Sequence, residues 1–210
     1  MPNARTHAEI IIGHHLIFSG YGFWLANDPR GSGSKVLREP KFEDLGPIHP
    51  GRKHEQPTRA MLRAFYEKAT PLLDFTPLWF NEEICGVIAE SFSETTKQYR
   101  YTVWAMAVMP NHAHICVRQH LDAYQAIWER FAMPARDAVR NLGRTADGHP
   151  IWANRPYSVY LYSPADVGRT IDYIQKNPLK DGLPEQQYAC TISYSGWPFP
   201  NDPRRWGDVT

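Results

Sequence analysis

The chain has 210 residues, 42% hydrophobic and 21% charged, which fits a folded globular protein and excludes a disordered one. Lys and Arg number 23 against 22 Asp and Glu, a net charge of +1, so overall charge offers no argument for nucleic-acid binding and any such reading must rest on motifs. The cysteines Cys85, Cys116 and Cys190 lie far apart with no CxxC pair, which excludes a disulfide scaffold and a cysteine-rich zinc site and suits a reducing compartment.

No run reaches the roughly 18–20 apolar residues of a membrane span. The most apolar stretch, Ile10 to Leu25, is broken by His14, His15 and three glycines, and it lacks the basic start and small-residue cleavage site of a signal peptide. The expectation is a soluble, cytoplasmic protein with a single domain over residues 1–210.

In chain order, Ile10 to Ser19 is rich in β-branched residues and stops at Gly20-Tyr21-Gly22, the pattern of a buried strand. Asn27 to Thr58 carries five prolines and four glycines and reads as a long, mobile loop insertion. Its basic residues Arg30, Lys35, Arg38, Lys41, Arg52 and Lys53 form either a solvated surface or a nucleic-acid clamp. Pro57-Thr58 opens a short helical stretch with Met61, Leu62, Phe65 and Tyr66 on one face. A stronger helix covers about Asn81 to Gln98, with Ile84, Val87, Ile88 and Phe92 at helical spacing.

Tyr101 to Met109 and His112 to Val117 read as strands joined at the turn signal Pro110-Asn111. Leu121 to Leu142 is an amphipathic helix that stops at Gly143, with a kink expected at Pro134. Ile151 to Tyr162 reads as one or two strands. The last helix starts with Ser163 as N-cap, Pro164 at N1 and Asp166 at N3, an acidic variant of the capping box. Val167, Ile171 and Ile174 form its core stripe, and Asn177-Pro178 is expected to end it. The aromatic, Pro-rich remainder from about 184 to 210 is expected to wrap the domain as an ordered tail. This order predicts an α+β fold: a ferredoxin-like antiparallel sheet with helices packed on one face and a loop insertion after the first strand.

His112-Ala113-His114 is the first candidate for chemistry. Alternate residues of a strand share a face, so both imidazoles point the same way and can chelate one divalent ion. Cys116 shares that face. Tyr173 and Asn177 are the second candidate, four apart and therefore stacked on one side of the last helix. A metal held by two histidines can polarise a phosphate. A tyrosine beside it can attack, storing the phosphodiester bond energy in a covalent ester, and an amide oxygen from the same helix can complete the coordination.

These residues carry a resemblance. Met109-Pro110-Asn111-His112-Ala113-His114 resembles the MPNHVH signature of the HUH single-tyrosine transposases of the insertion-sequence type. The segment from Tyr173 through Asn177-Pro178 to Gly182-Leu183 resembles their YIxxNPxxAGL stretch, in a form especially similar to the REP-associated tyrosine transposases. The resemblance implies a ferredoxin-like domain that cleaves and rejoins single-stranded DNA beside a hairpin or palindromic repeat. It implies His112 and His114 as metal ligands, Asn177 as a third ligand and Tyr173 as the nucleophile, with Mg²⁺ or Mn²⁺ as the ion. Two imidazoles and an amide suit Mn²⁺, while the family generally uses Mg²⁺.

Ala113 is smaller than the family's usual residue but faces away from the metal. The insertion is longer than the family's minimal domain needs, and the tail has no assigned role. For DNA binding, Arg155, Lys176 and Lys180 are candidates to meet phosphates, and Trp152 and Tyr157 to stack on bases. The resemblance leaves a monomer or a homodimer open. The alternatives are a non-catalytic DNA-binding regulator on the same fold and a histidine-triad nucleotide hydrolase. The second is weakened by Cys116 in the third histidine place.

Overall fold

The computed structural model describes residues 10–37, 39–153 and 157–198. Four strands form one antiparallel sheet: β1 (Gly13–Ser19), β2 (Val103–Met109), β3 (His112–Arg118) and β4 (Tyr157–Leu161), in the order β2-β3-β1-β4. Helices α1 (Arg59–Ala69) and α2 (Glu82–Gln98) connect β1 to β2, α3 (Tyr124–Asn141) connects β3 to β4, and α4 (Pro164–Lys180) follows β4. That order and connectivity are the ferredoxin-like α+β arrangement expected from the sequence.

The two faces of the sheet are covered differently. Leu16, Phe18, Met106, Val108, Ala113, Ile115 and Val117 pack on α2 and α3 through Ile84, Ile88, Phe92, Ile127 and Phe131. Trp104, Ala105, Ala107 and Cys116 on the other face pack on Val167 and Ile174 of α4. The expectation of helices on one face therefore holds for α2 and α3, while α4 covers the face that carries the histidines. A register shift between Val103 and Ala105 turns both Trp104 and Ala105 toward α4.

Several boundaries follow from named caps. Asn81 accepts from the Ile84 N–H at 2.9 Å and starts α2 where its composition indicated. Ser163 and Asp166 form the expected reciprocal capping box of α4. That helix runs through Pro178 to Lys180 instead of ending at Asn177-Pro178. A proline near the end of a helix removes one hydrogen bond but does not terminate it. The stop comes at Gly182, whose φ of +74° suits a residue without Cβ. There the Leu183 N–H reaches the Pro178 carbonyl at 2.9 Å and the Gly182 N–H reaches Leu179 at 3.2 Å, the two bonds of a Schellman motif.

Pro134 lies inside α3 and leaves the Arg130 carbonyl without its helical donor. The Thr95 hydroxyl of α2 donates to that carbonyl at 3.3 Å. β1 begins at Gly13, later than Ile10, and of the Ile151–Tyr162 stretch only β4 is a strand, with Trp152 in an isolated bridge to Gly20. The 27–58 segment, read from composition as a mobile loop, is packed: it holds a 3₁₀ turn (Pro40–Leu45) and buries Asn27, Asp28, Ser32 and Phe42. Residues 184–198 run along the outer edge of β2. The Gln186 amide bonds both the N–H and the C=O of Val108, and the Ile192 N–H donates to Val103. Among the described residues, no helix is long and apolar enough to cross a membrane.

Candidate active site

The two-residue turn Pro110-Asn111 sets His112 at the first position of β3, opposite Met109 of β2 and Ser19 of β1. Strand alternation then turns His112, His114 and Cys116 toward α4, with the ring centroids of the two histidines 4.7 Å apart. Cys116 is sealed under Trp104 and α4, and burial pushes its thiol up to about 12, so it serves as a neutral packing group.

The hydrogen bonds at the two histidines differ. His112 Nδ1 lies 2.6 Å from Asn111 Oδ1, so with this amide orientation His112 donates from Nδ1 and its Nε2 is an acceptor. Asn177 Nδ2 lies 3.2 Å from that Nε2. His114 Nδ1 lies 3.0 Å from His15 Nε2, whereas His114 Nε2 is buried and has no hydrogen-bond partner. A buried polar nitrogen without a partner is uncommon and calls for an explanation such as an ion.

α4 delivers the other two expected residues. Tyr173 is 39% exposed, and its ring meets His114 edge-on at 5.5 Å and His15 at 5.8 Å. Asn177, one turn later, is buried against His112. Tyr173 thus stands over the histidines of its own chain. The sequence-expected set His112, His114, Tyr173 and Asn177 comes together in one place. Asn177 lies inside the helix, so helix termination does not account for it.

Electrostatics keep the imidazoles neutral. Burial, followed by Arg30 and His15, lowers His112 to about 4. Burial alone lowers His15 to about 4. His114 is held well below the usual histidine range by burial, then by His112 and His15. Neutral imidazoles are the form that binds a metal. Among the described residues, no three His, Cys, Asp or Glu side chains are arranged to hold one ion, and the further polar side chain against His112 is Asn177.

The expected DNA contacts fare unevenly. Trp152 is 4% exposed and its Nε1–H donates to the Ala132 carbonyl, so it is a core residue and no stacking platform. Its large apolar ring packs against Phe18 and Phe92, a role that sequence alone does not separate from stacking. Arg155 lies outside the described residues. Lys176 extends into solvent and pairs with Asp172 one turn back, and Lys180 places Nζ 4.9 Å over the Tyr173 ring. Tyr157 is exposed on the histidine face at the edge strand.

Two neighbours of the site were not singled out by sequence reasoning. His15 reaches the site because its register opposite Cys116 puts it on the α4 side, whereas His14 faces the other way toward Gln119 and Tyr124. Trp24 lies edge-on to His112 at 5.3 Å. The alternation His14-His15 in a strand was the one available signal for the first; nothing in the sequence marked the second.

No family model matches the chain, and no curated protein matches its sequence. A solved structure with which it shares similarity is a REP-associated tyrosine transposase bound to a REP hairpin, at 13% identity and a TM-score of 0.42, covering 88% of this chain and 76% of that one. The assignment of the site rests on its own side chains.

Proposed function

We propose that the chain cuts and rejoins single-stranded DNA through a covalent tyrosine intermediate, as a transposase-type enzyme acting beside hairpin or palindromic DNA. The observation that supports this reading is the buried, partnerless His114 Nε2 beside the His112 Nε2–Asn177 contact, with the Tyr173 ring against His114. Two imidazole nitrogens and an amide fit a divalent ion, Mg²⁺ or Mn²⁺. The amide of Asn177 can turn its oxygen toward the same point, because amide N and O are interchangeable in such an assignment. When bound, the ion supplies Lewis-acid stabilisation of charge at the scissile phosphate.

The chain's own residues do the rest. Asn111 fixes the His112 tautomer and His15 contacts the far nitrogen of His114, so both rings are oriented before substrate arrives. α4 brings Tyr173 and Asn177 together on one rigid face, which limits the motion of the nucleophile. The Tyr173 oxygen forms a bond to phosphorus as the bond to the 3′ oxygen breaks. The phenol loses its proton and the departing oxygen gains one, leaving a 5′-phosphotyrosine and a free 3′-OH. Attack by a 3′-OH on the phosphotyrosine reverses the exchange and restores the phenol. The phosphodiester energy is conserved, so no nucleotide cofactor is needed.

The test is a denaturing gel of the protein with a labelled hairpin oligonucleotide and Mg²⁺ or Mn²⁺. A covalent protein–DNA band is expected, absent in EDTA and absent in Tyr173→Phe, which still binds the hairpin. Binding without a band in the wild-type protein would make the chain a DNA-binding regulator instead. A band that persists in Tyr173→Phe would move the nucleophile elsewhere.

A further inference from the structure

A closed polar cluster lies at the edge of the histidine face. Trp24 follows β1 with φ +53°, a region that a bulky side chain rarely takes. Its N–H donates to the Tyr66 hydroxyl at 3.0 Å. That hydroxyl also accepts from Arg30 Nη2 at 2.9 Å and donates to Asp28, so its one donor and two acceptor positions are all used. The Asp28 side chain is fully buried and accepts from the Arg30 backbone N–H, Nε and Nη2 at 2.9, 2.8 and 2.6 Å. Behind it the loop is closed by Gly31 at φ +87°, where a Cβ would lie 1.9 Å from the Gly51 carbonyl oxygen. The outcome is a guanidinium held 4.3 Å over the Trp24 ring, whose edge in turn meets His112 at 5.3 Å.

This construction fixes a cation one aromatic ring away from a histidine pair. The buried Asp28 carboxylate already offsets the charge of Arg30, so what the fork offers an anion is a held hydrogen-bond donor. Asp28 and Tyr66 engage Nε and Nη2 of Arg30, and Nη1 is not used in those bonds. The Arg30 side chain remains 23% exposed. Its charge is also felt at His112, where it adds to the effect of burial.

We propose that Trp24 and Arg30 form a second phosphate position for single-stranded DNA beside the histidines. Arg30 takes a phosphodiester that neighbours the scissile one, and Trp24 is the pillar that fixes the guanidinium relative to His112. This rests on the reading of the site as a single-strand DNA centre, and it gives the 27–58 insertion a task. Asp28 and Tyr66 act as positioning residues, restraining a fork that is otherwise flexible.

The test uses the full chain carrying Tyr173→Phe, in EDTA, so neither chemistry nor metal contributes. Affinity for a hairpin oligonucleotide with single-stranded flanks is measured by fluorescence anisotropy across a salt series. Arg30→Gln is expected to weaken binding about tenfold and to reduce the slope of log affinity against log salt by about 0.7, one single-strand phosphate contact. Arg30→Lys, which keeps the charge, restores the slope. Because Arg30→Gln strands a buried carboxylate, its fold is checked by circular dichroism and a second measurement changes the DNA instead: single neutral methylphosphonates are walked along the strand. One position next to the scissile phosphate is expected to weaken the wild-type Arg30 protein but not Arg30→Gln. Equal losses in both proteins at every position, or no binding of the oligonucleotide at all, would overturn the proposal. An Arg30-dependent position in a protein that forms no covalent adduct keeps the phosphate site and removes the catalytic reading. An adduct without such a position does the reverse.

Discussion

His15 Nε2 and His114 Nδ1 lie 3.0 Å apart, a contact either ring can donate, and the partnerless His114 Nε2 behind it favours one of the two tautomers. With the proton on Nδ1, His114 donates to His15 and its buried Nε2 keeps a lone pair. With the proton on Nε2, a buried N–H faces no acceptor, the more costly arrangement. The favoured tautomer is therefore the one that a metal at Nε2 requires, with His15 on β1 as acceptor of the Nδ1 proton.

His15→Ala is expected to lower Mn²⁺ affinity about 10–100-fold, the usual effect of removing the outer partner of a ligating histidine. His15→Gln, whose amide oxygen can accept the same proton, should lose less. Titration by electron paramagnetic resonance in a Tyr173→Phe background reads affinity without catalysis. Nitrogen NMR of the metal-free protein should show the His114 proton moving between ring nitrogens in the alanine variant. Unchanged affinity in His15→Ala would reduce the contact to packing.

Asn177→Asp should keep metal binding and part of the cleavage activity, since an oxygen ligand of similar length remains. Asn177→Ala should raise the Mn²⁺ concentration needed for half-maximal cleavage, and excess Mn²⁺ should restore some rate. Neither change should alter the length of α4, because Gly182 ends that helix. Equal half-saturation in Asn177→Ala and wild type would leave the two histidines as the chain's ligands.

Acid should destabilise the metal-free fold through the histidine cluster. Burial lowers His15 and His112 to about 4 in the folded protein and holds His114 well below the usual histidine range, against about 6.5 unfolded. Between pH 6.5 and about 4 the unfolded chain binds protons that the folded centre refuses, so stability falls as pH falls through that window. Urea denaturation at pH 7 and pH 5 should show the loss, and His15→Gln should reduce it. A pH-independent midpoint over that range would contradict the burial of these rings.

Thr95→Val should destabilise by about 1 kcal/mol, the net worth of one hydrogen bond, by leaving the Arg130 carbonyl unpaired opposite Pro134. The double change with Pro134→Ala should recover stability, because the alanine N–H can then donate to Arg130. Chemical denaturation of the two variants is sufficient; additivity without recovery would deny the link.

The residues that do the proposed chemistry were legible because each sits in a short, directional pattern. Alternation on a strand fixed the shared face of His112 and His114, and four-residue spacing on a helix fixed that of Tyr173 and Asn177. Caps were equally readable at Asn81 and Ser163, where side chain and backbone are neighbours in sequence. The end of α4 was misjudged because proline is weighed as a breaker, while the stopping force resides in Gly182 and the Schellman bonds behind it. Trp152 was misplaced because an aromatic ring is equally suited to a core and to a base. His15 and Trp24 depend on register and on a left-handed backbone angle, which only the folded chain displays. The Asp28–Arg30–Tyr66 cluster joins residues up to 38 positions apart, and composition hid two of them inside a segment that looks like plain loop.

The run of chain after Gly182 has a consequence for assembly. Gln186 imitates a strand residue against Val108, and Ile192 repeats the act at Val103, so the outer rim of β2 is already taken at both ends. Among the described residues, β4 has no strand on its other side. The β2 rim, by contrast, is closed to backbone pairing with another sheet, which removes one of the routes by which a bare sheet edge stacks on its neighbours.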